Sequence, residues 1–164
     1  MNTLVTIAIT LLAAYTVTLC VVGRQIPDSL SQSVFNLPPS GAWLWTIVLY
    51  TASFLTVPTY IDHTNENTKW LAFLAIVGLL FVGAAPLVKD KSDLAYKVHC
   101  GAAILCAVCS QLVLTFNCPW LLLCWVPFVA YLVCSLIKHQ TWRTRTFWAE
   151  MVCFASTFAF CLTT

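Results

Sequence analysis

Six apolar runs of about 20 residues divide the chain and constrain its fold more than any other feature. An α-helix rises 1.5 Å per residue, so about 20 residues cross a hydrocarbon core about 30 Å thick. Each run is predicted to be helical, because open strands in lipid would leave backbone N–H and C=O groups without partners. The runs cover residues 3–22, 41–60, 70–88, 96–116, 119–137 and 146–162.

The composition agrees with a lipid environment. Hydrophobic residues make up 60% of the 164 residues and charged residues only 9%, against roughly 25% charged in soluble domains. The first run lacks a basic leader and a small-residue cleavage site, so it is predicted to be a retained helix. We predict an all-α fold: one integral-membrane domain, 1–164, built as an antiparallel bundle of six transmembrane helices with short loops.

The basic residues predict the orientation of this bundle. If the runs cross the membrane alternately, the loops after runs 1, 3 and 5 share one face and carry seven of the eight basic residues, whereas the other face carries only Lys69. The positive-inside rule makes the basic face cytoplasmic, so both termini are expected outside the cytoplasm. The seven residues are Arg24, Lys89, Lys91, Lys97, Lys138, Arg143 and Arg145.

The longest loop, residues 23–41, reads GRQIPDSLSQSVFNLPPSG. Its middle predicts a short interfacial helix, whose first turn Asp28 or Ser29 would cap and on which Ser31 would lie. Leu30 and Val34 are four residues apart and would face the lipid. A nucleophilic serine needs an adjacent base, and this stretch contains no histidine.

Three further stretches carry a family resemblance: IPDSLSQSVF, WLAFLAIVGLLFVGAAPLVKD and YKVHCGAAILC. Together they resemble uncharacterised small six-helix membrane proteins of Bacteroides-type bacteria and their phages. The resemblance implies a bacterial inner (cytoplasmic) membrane and no particular activity. The VGAAP run followed by a histidine is also distantly similar to membrane-embedded, zinc-dependent lipid amidases, but the chain lacks their H-x-x-x-H pair.

Neither a metal nor another cofactor is predicted. His63 falls on the outer face, whereas His99 and His139 fall on the cytoplasmic face, so a three-histidine zinc site would need ligands from both sides of the bilayer. Eight of the nine cysteines lie inside the apolar runs, where free cysteine acts as a small hydrophobe. The outer stretch DHTNEN, 62–67, could hold a divalent cation loosely, but its residues are also typical of a solvated turn.

Glu150 is the residue most open to a functional interpretation. A carboxylate about one turn inside a membrane run is costly unless it is paired, so it is expected inside the bundle. Lys97, His99, Arg143 and Arg145 are the predicted partners. The pair could be a structural link between the fourth and sixth runs, or Glu150, His99 and Lys97 could form a ligand or proton site.

Two patterns concern packing. Ala102, Cys106 and Ser110 form a stripe of small residues that would let a neighbouring helix approach closely within the molecule. Five tryptophans fall near the ends of runs, as in an interfacial belt: Trp43, Trp45, Trp70, Trp142 and Trp148.

Three functional classes stay open at this point. The first is a non-enzymatic membrane protein that binds, senses or scaffolds at the cytoplasmic interface, with anionic lipid headgroups as partners of the basic face. The second is a lipid hydrolase with a divergent site, and the third is a small transporter or pore. We favour the first, because the residues of the hydrolases are missing and no repeat suggests a transporter. Nucleic-acid binding is not expected, since the basic residues lie at a membrane surface.

Overall fold

The computed structural model describes residues 2–31, 39–84, 93–138 and 142–163. These residues form α-helices and two 3-10 segments, with no strand among them, which confirms the all-α prediction. The 3-10 segments are Glu66–Thr68 and Pro119–Trp125. The helices are α1 Asn2–Gly23, α2 Pro39–His63, α3 Lys69–Gly83, α4 Asp93–Asn117, α5 Val126–Ile137 and α6 Arg145–Leu162.

Within the described residues, five helical segments are long and apolar enough to cross a membrane, as an integral membrane protein requires. The last helix, α6, is not one of the five, because Arg145 and Glu150 in its first two turns lower its mean hydropathy. The five segments are Thr3–Gly23, Trp43–His63, Glu66–Gly83, Tyr96–Asn117 and Pro119–Ile137.

The fifth predicted run is one continuous helical segment that is 3-10 at its start and α-helical afterwards. It begins as the 3-10 segment and continues as α5, where the amide of Val126 donates to the carbonyl of Leu123 three residues earlier. Pro127 follows immediately and has no N–H. It therefore cannot make the α-helical bond to Leu123, which leaves that carbonyl to the tighter 3-10 bond.

Helix α6 lies at the centre of the packing. It contacts α1, α2, α4, α5 and the 3-10 segment 119–125. Helices α3 and α4 form the closest pair: a Cβ atom placed on Gly78 would lie only 2.8 Å from the carbonyl oxygen of Ala102 and 2.9 Å from the amide nitrogen of Cys106. The small-residue stripe of α4 is therefore an intramolecular seam, as predicted.

Buried apolar side chains form two clusters, which we name after residues at the two ends of α6. The Phe160 cluster includes Tyr60 and Leu114. The Phe147 cluster includes Trp45 and Leu30. Trp45 is 1% exposed and its ring packs 5.6 Å from that of Tyr15, so its predicted place in an interfacial belt is wrong. It faces the bundle because it lies on the side of α2 that packs on α1.

The connections after α2 and α4 meet at Asn117. Its Oδ1 accepts the backbone N–H of Asn65 at 2.8 Å, and its Nδ2 donates to Thr68 Oγ1 at 3.0 Å and to the carbonyl of Val113 at 2.7 Å. One asparagine thus ties two loops that are separated by about 50 residues of chain. The opposite end of the bundle contains the candidate site.

Candidate functional site

Residues 28–31, here called the first-loop segment, dock on the start of α6. Helix α1 ends as Arg24 adopts a left-handed φ of 52°, which turns the chain out of the helix. The carbonyl of Asp28 then accepts the amide of Phe147 at 3.0 Å, one of the first-turn amides that a helix cannot satisfy internally. Arg143 Nε donates to Asp28 Oδ1 at 2.5 Å, which joins the first and fifth connections.

The Glu150 carboxylate binds the same segment from the next turn of α6. Its Oε1 accepts the hydroxyls of Ser29 at 2.7 Å and Ser31 at 3.3 Å. Its Oε2 accepts the backbone N–H of Leu30 at 2.5 Å. All three donors are neutral, so the described residues give this carboxylate hydrogen bonds without a hydrogen-bonded cation.

Burial of Leu30 fixes this arrangement. Leu30 is fully buried in the Phe147 cluster, while Ser29 and Ser31 on either side are also buried and lie 3.0 Å apart, oxygen to oxygen. An apolar side chain therefore anchors the segment in the core, and its buried amide and flanking hydroxyls need an acceptor. Glu150 supplies that acceptor.

The predicted interfacial helix is not present in the part of the loop that is described. Residues 27–31 are not helical, and the rest of the predicted helix, with Val34, lies outside the described residues. The expectation that Leu30 faces lipid is wrong. Asp28 accepts from Arg143 and the Ser29 hydroxyl donates to Glu150, both over 110 residues away in sequence. That Asp28 or Ser29 also caps a local helix stays a prediction, because most of that helix would lie outside the described residues.

Glu150 lies inside the bundle, as predicted, but its partners are not those expected. We predicted that basic residues, mainly at the start of the fourth run, would bind Glu150. Its hydrogen bonds come instead from the first-loop segment. His99 is buried on α4, and its Nδ1 has no hydrogen-bond partner among the described residues. Lys97 is exposed on the same helix. His139 lies outside the described residues.

A cavity of about 360 Å³ adjoins the carboxylate, a volume within the range of small-molecule sites. Glu150 and Ser31 border one end and Tyr60 borders the other. Phe160, whose ring lies 5.9 Å from that of Tyr60, is ten residues beyond Glu150 on α6, which corresponds to about 15 Å along a helix. The remaining lining is mainly apolar and includes Trp45, Leu49, Leu79, Val82, Phe154 and Phe158.

Weakly polar side chains on two helices also face the cavity. Ser53, Thr56 and Tyr60 recur on α2 at spacings of three and four residues, as do Glu150, Cys153 and Thr157 on α6. Such spacings place side chains on one face of a helix. This periodicity is visible in the sequence and could have indicated the cavity, although we predicted no cavity from it.

The hydroxyl of Tyr60, which lines the cavity, has no hydrogen-bond partner among the described residues. Ser53 and Thr56 satisfy their hydroxyls on the carbonyls of Leu49 and Ala52, at 2.6 and 2.7 Å. Tyr60 is 4% exposed, and its buried hydroxyl has no hydrogen-bond partner among the described residues. Buried hydroxyls are normally bonded to protein or to water, so this atom could accept or donate a bond to a bound molecule.

The described residues bring no group of three histidine, cysteine, aspartate or glutamate side chains together. The nine cysteines are free thiols, and Cys109 and Cys161 are buried in the Phe160 cluster, in agreement with their predicted role as small hydrophobes. Searches with the whole chain matched no family model, no curated protein and no solved structure.

Proposed function

We propose that this chain is a non-enzymatic integral membrane protein that binds a hydrophobic molecule from the bilayer in the cavity beside Glu150. The cavity of about 360 Å³ is the observation that carries this proposal. Ile104 borders the cavity and is also 65% exposed, so the cavity reaches the outer surface of the bundle there. Ile104 lies eight residues after Tyr96, about 12 Å into the span, and this opening therefore faces lipid tails.

The sixth helix is proposed to cross the membrane with the other five. It packs against four of the other helices, and Ser156 near its middle is fully buried. A helix surrounded in this way shares the depth of its neighbours. The contacts between the first and fifth connections, and between the second and fourth, favour alternate crossings. We propose a bacterial inner membrane with both termini outside the cytoplasm, because the basic residues lie in the first, third and fifth connections.

Binding without covalent chemistry is favoured by the arrangement of the serines. Ser29 and Ser31 share one carboxylate with the amide of Leu30, which serves to hold a loop. Activation of a serine nucleophile requires a base and a third group that orients it. A carboxylate that already accepts three hydrogen bonds is better suited to structure and to ligand contact.

The proposal is tested by detecting molecules that stay bound to the purified protein. Phenylalanine in place of Ala107, which lines the cavity, would fill it. Val108→Phe adds similar bulk next in sequence at a side chain that is 51% exposed and is the matched control. Native mass spectrometry should show an apolar adduct on the wild type and on Val108→Phe, and none on Ala107→Phe. The same adducts on all three proteins would refute the cavity as the binding site.

A further inference from the structure

The ligand class follows from the charge at the end of the cavity. Among the described residues that line it, Glu150 is the acidic one and none is a lysine, arginine or histidine. Its hydrogen-bond donors in the first-loop segment, the hydroxyls of Ser29 and Ser31 and the amide of Leu30, are neutral. No cation of the described residues is hydrogen-bonded to the carboxylate, so a cationic group of a ligand can pair with it there.

The rest of the lining suits the body of an amphiphilic cation. Trp45, Tyr60, Trp125, Phe154 and Phe158 all border the cavity, and aromatic faces attract cations as well as apolar groups. The distance of about 15 Å along α6 from Glu150 to Phe160 is half of a hydrocarbon core about 30 Å thick. This is the depth reached by the chain of a molecule that sits in one leaflet.

We infer that the cavity binds single-chain amphiphiles with a cationic ammonium headgroup, which pairs with Glu150 at one end of a mainly apolar cavity. This inference rests on the proposed function and adds the class of ligand. The ammonium pairs with the carboxylate, and the hydroxyl oxygen of Ser31 lies beside it as a second acceptor. The chain extends along α6 towards Tyr60, whose hydroxyl is open to a further hydrogen bond.

Three probes with the same alkyl chain separate charge from hydrophobicity: dodecylamine as its ammonium, dodecanol and dodecanoate. Each is titrated by calorimetry into the full chain in phosphatidylcholine nanodiscs, and empty nanodiscs give the background of partitioning into lipid. Dodecylammonium is expected to bind about tenfold more tightly than dodecanol, because charge-assisted hydrogen bonds are roughly twice as strong as neutral ones. Dodecanoate should bind most weakly, since two carboxylates repel each other.

Glu150→Gln should bring dodecylammonium to about the affinity of dodecanol. Ala107→Phe should abolish saturable binding of all three probes, and Val108→Phe should bind them as the wild type does. Equal affinity of the wild type for dodecylammonium and dodecanol would overturn the inference while leaving the cavity proposal intact. This comparison needs no variant, so it holds even if Glu150→Gln fails to fold. No saturable binding of any probe by the wild type would overturn both.

Discussion

Gly78 of α3 lies against Cys106 of α4 with no space for a side chain: a Cβ atom on Gly78 would come within 2.9 Å of the amide nitrogen and 3.0 Å of the Cβ of Cys106. The obstacle is backbone, so it cannot move aside as a flexible side chain would. The two helices lie together because glycine faces a stripe of small residues. Ala75 and Leu79, close to Gly78 on α3, line the cavity.

Replacement of Gly78 by alanine should therefore destabilise the bundle. We expect a loss of about 1–3 kcal/mol, the usual cost of inserting a carbon into a filled interior, measured as thermal or denaturant unfolding in detergent. Gly101→Ala is the matched control. It lies on α4, where a Cβ would meet nothing within 4 Å, and alanine is the better helix former by about 1 kcal/mol. If both variants unfold at the same point, the close approach of α3 and α4 is wrong.

The second prediction separates the charge of Glu150 from its hydrogen bonds. Glu150→Gln should keep the fold, because the amide oxygen can accept the N–H of Leu30 while the NH₂ group donates to Ser29 and Ser31, whose hydroxyls also accept. Glu150→Leu removes every acceptor and leaves the buried amide of Leu30 unsatisfied, which costs about 1–3 kcal/mol. Unfolding of both variants in detergent measures the difference. Equal stability of the two would contradict a structural role for these bonds.

The spans could be predicted from the sequence because hydropathy is local: a run of about 20 apolar residues has few alternatives to a membrane helix. The 3-10 start of the fifth span was not predicted, although Pro127, which leaves the Leu123 carbonyl to a 3-10 bond, is visible in the sequence. The small stripe of α4 was recognised because spacing alone defines a helix face.

The sequence identified Glu150 as a candidate site residue but did not identify the residues that bind it. Glu150 was singled out, since a carboxylate in an apolar run needs a partner, but charge alone suggested basic partners. The true donors are two hydroxyls and an amide 119 to 121 residues away. Their place follows from burial of Leu30, a tertiary effect that no local pattern encodes. Local capping rules consider Asp28 and Ser29 only within their own loop and do not indicate these distant partners.

The third prediction concerns Asn117, which ties the two loops at the far end of the bundle. Asn117→Ala removes the acceptor for the Asn65 amide and the donor to Thr68, at a cost of about 0.5–1.5 kcal/mol per bond. Hydrogen exchange at the Asn65 amide should become faster. Asn65→Ala is the control, because it keeps the backbone N–H and should leave the stability nearly unchanged. Unaltered exchange in Asn117→Ala would show that this link does not hold the loop.

The fourth prediction tests the orientation. A phosphatase that is active only outside the cytoplasm, fused after Thr164, should be active. The proposed six alternate crossings, with basic residues in the first, third and fifth connections, are expected to place both termini outside. The same enzyme fused directly after Lys138, in place of the rest of the chain, should be inactive, since that connection is expected in the cytoplasm. A fluorescent protein that matures only in the cytoplasm should give the reverse pattern. Phosphatase activity after Lys138 with none after Thr164 would show that the orientation is the reverse of the one predicted. The Glu150 end of the cavity would then lie in the outer leaflet.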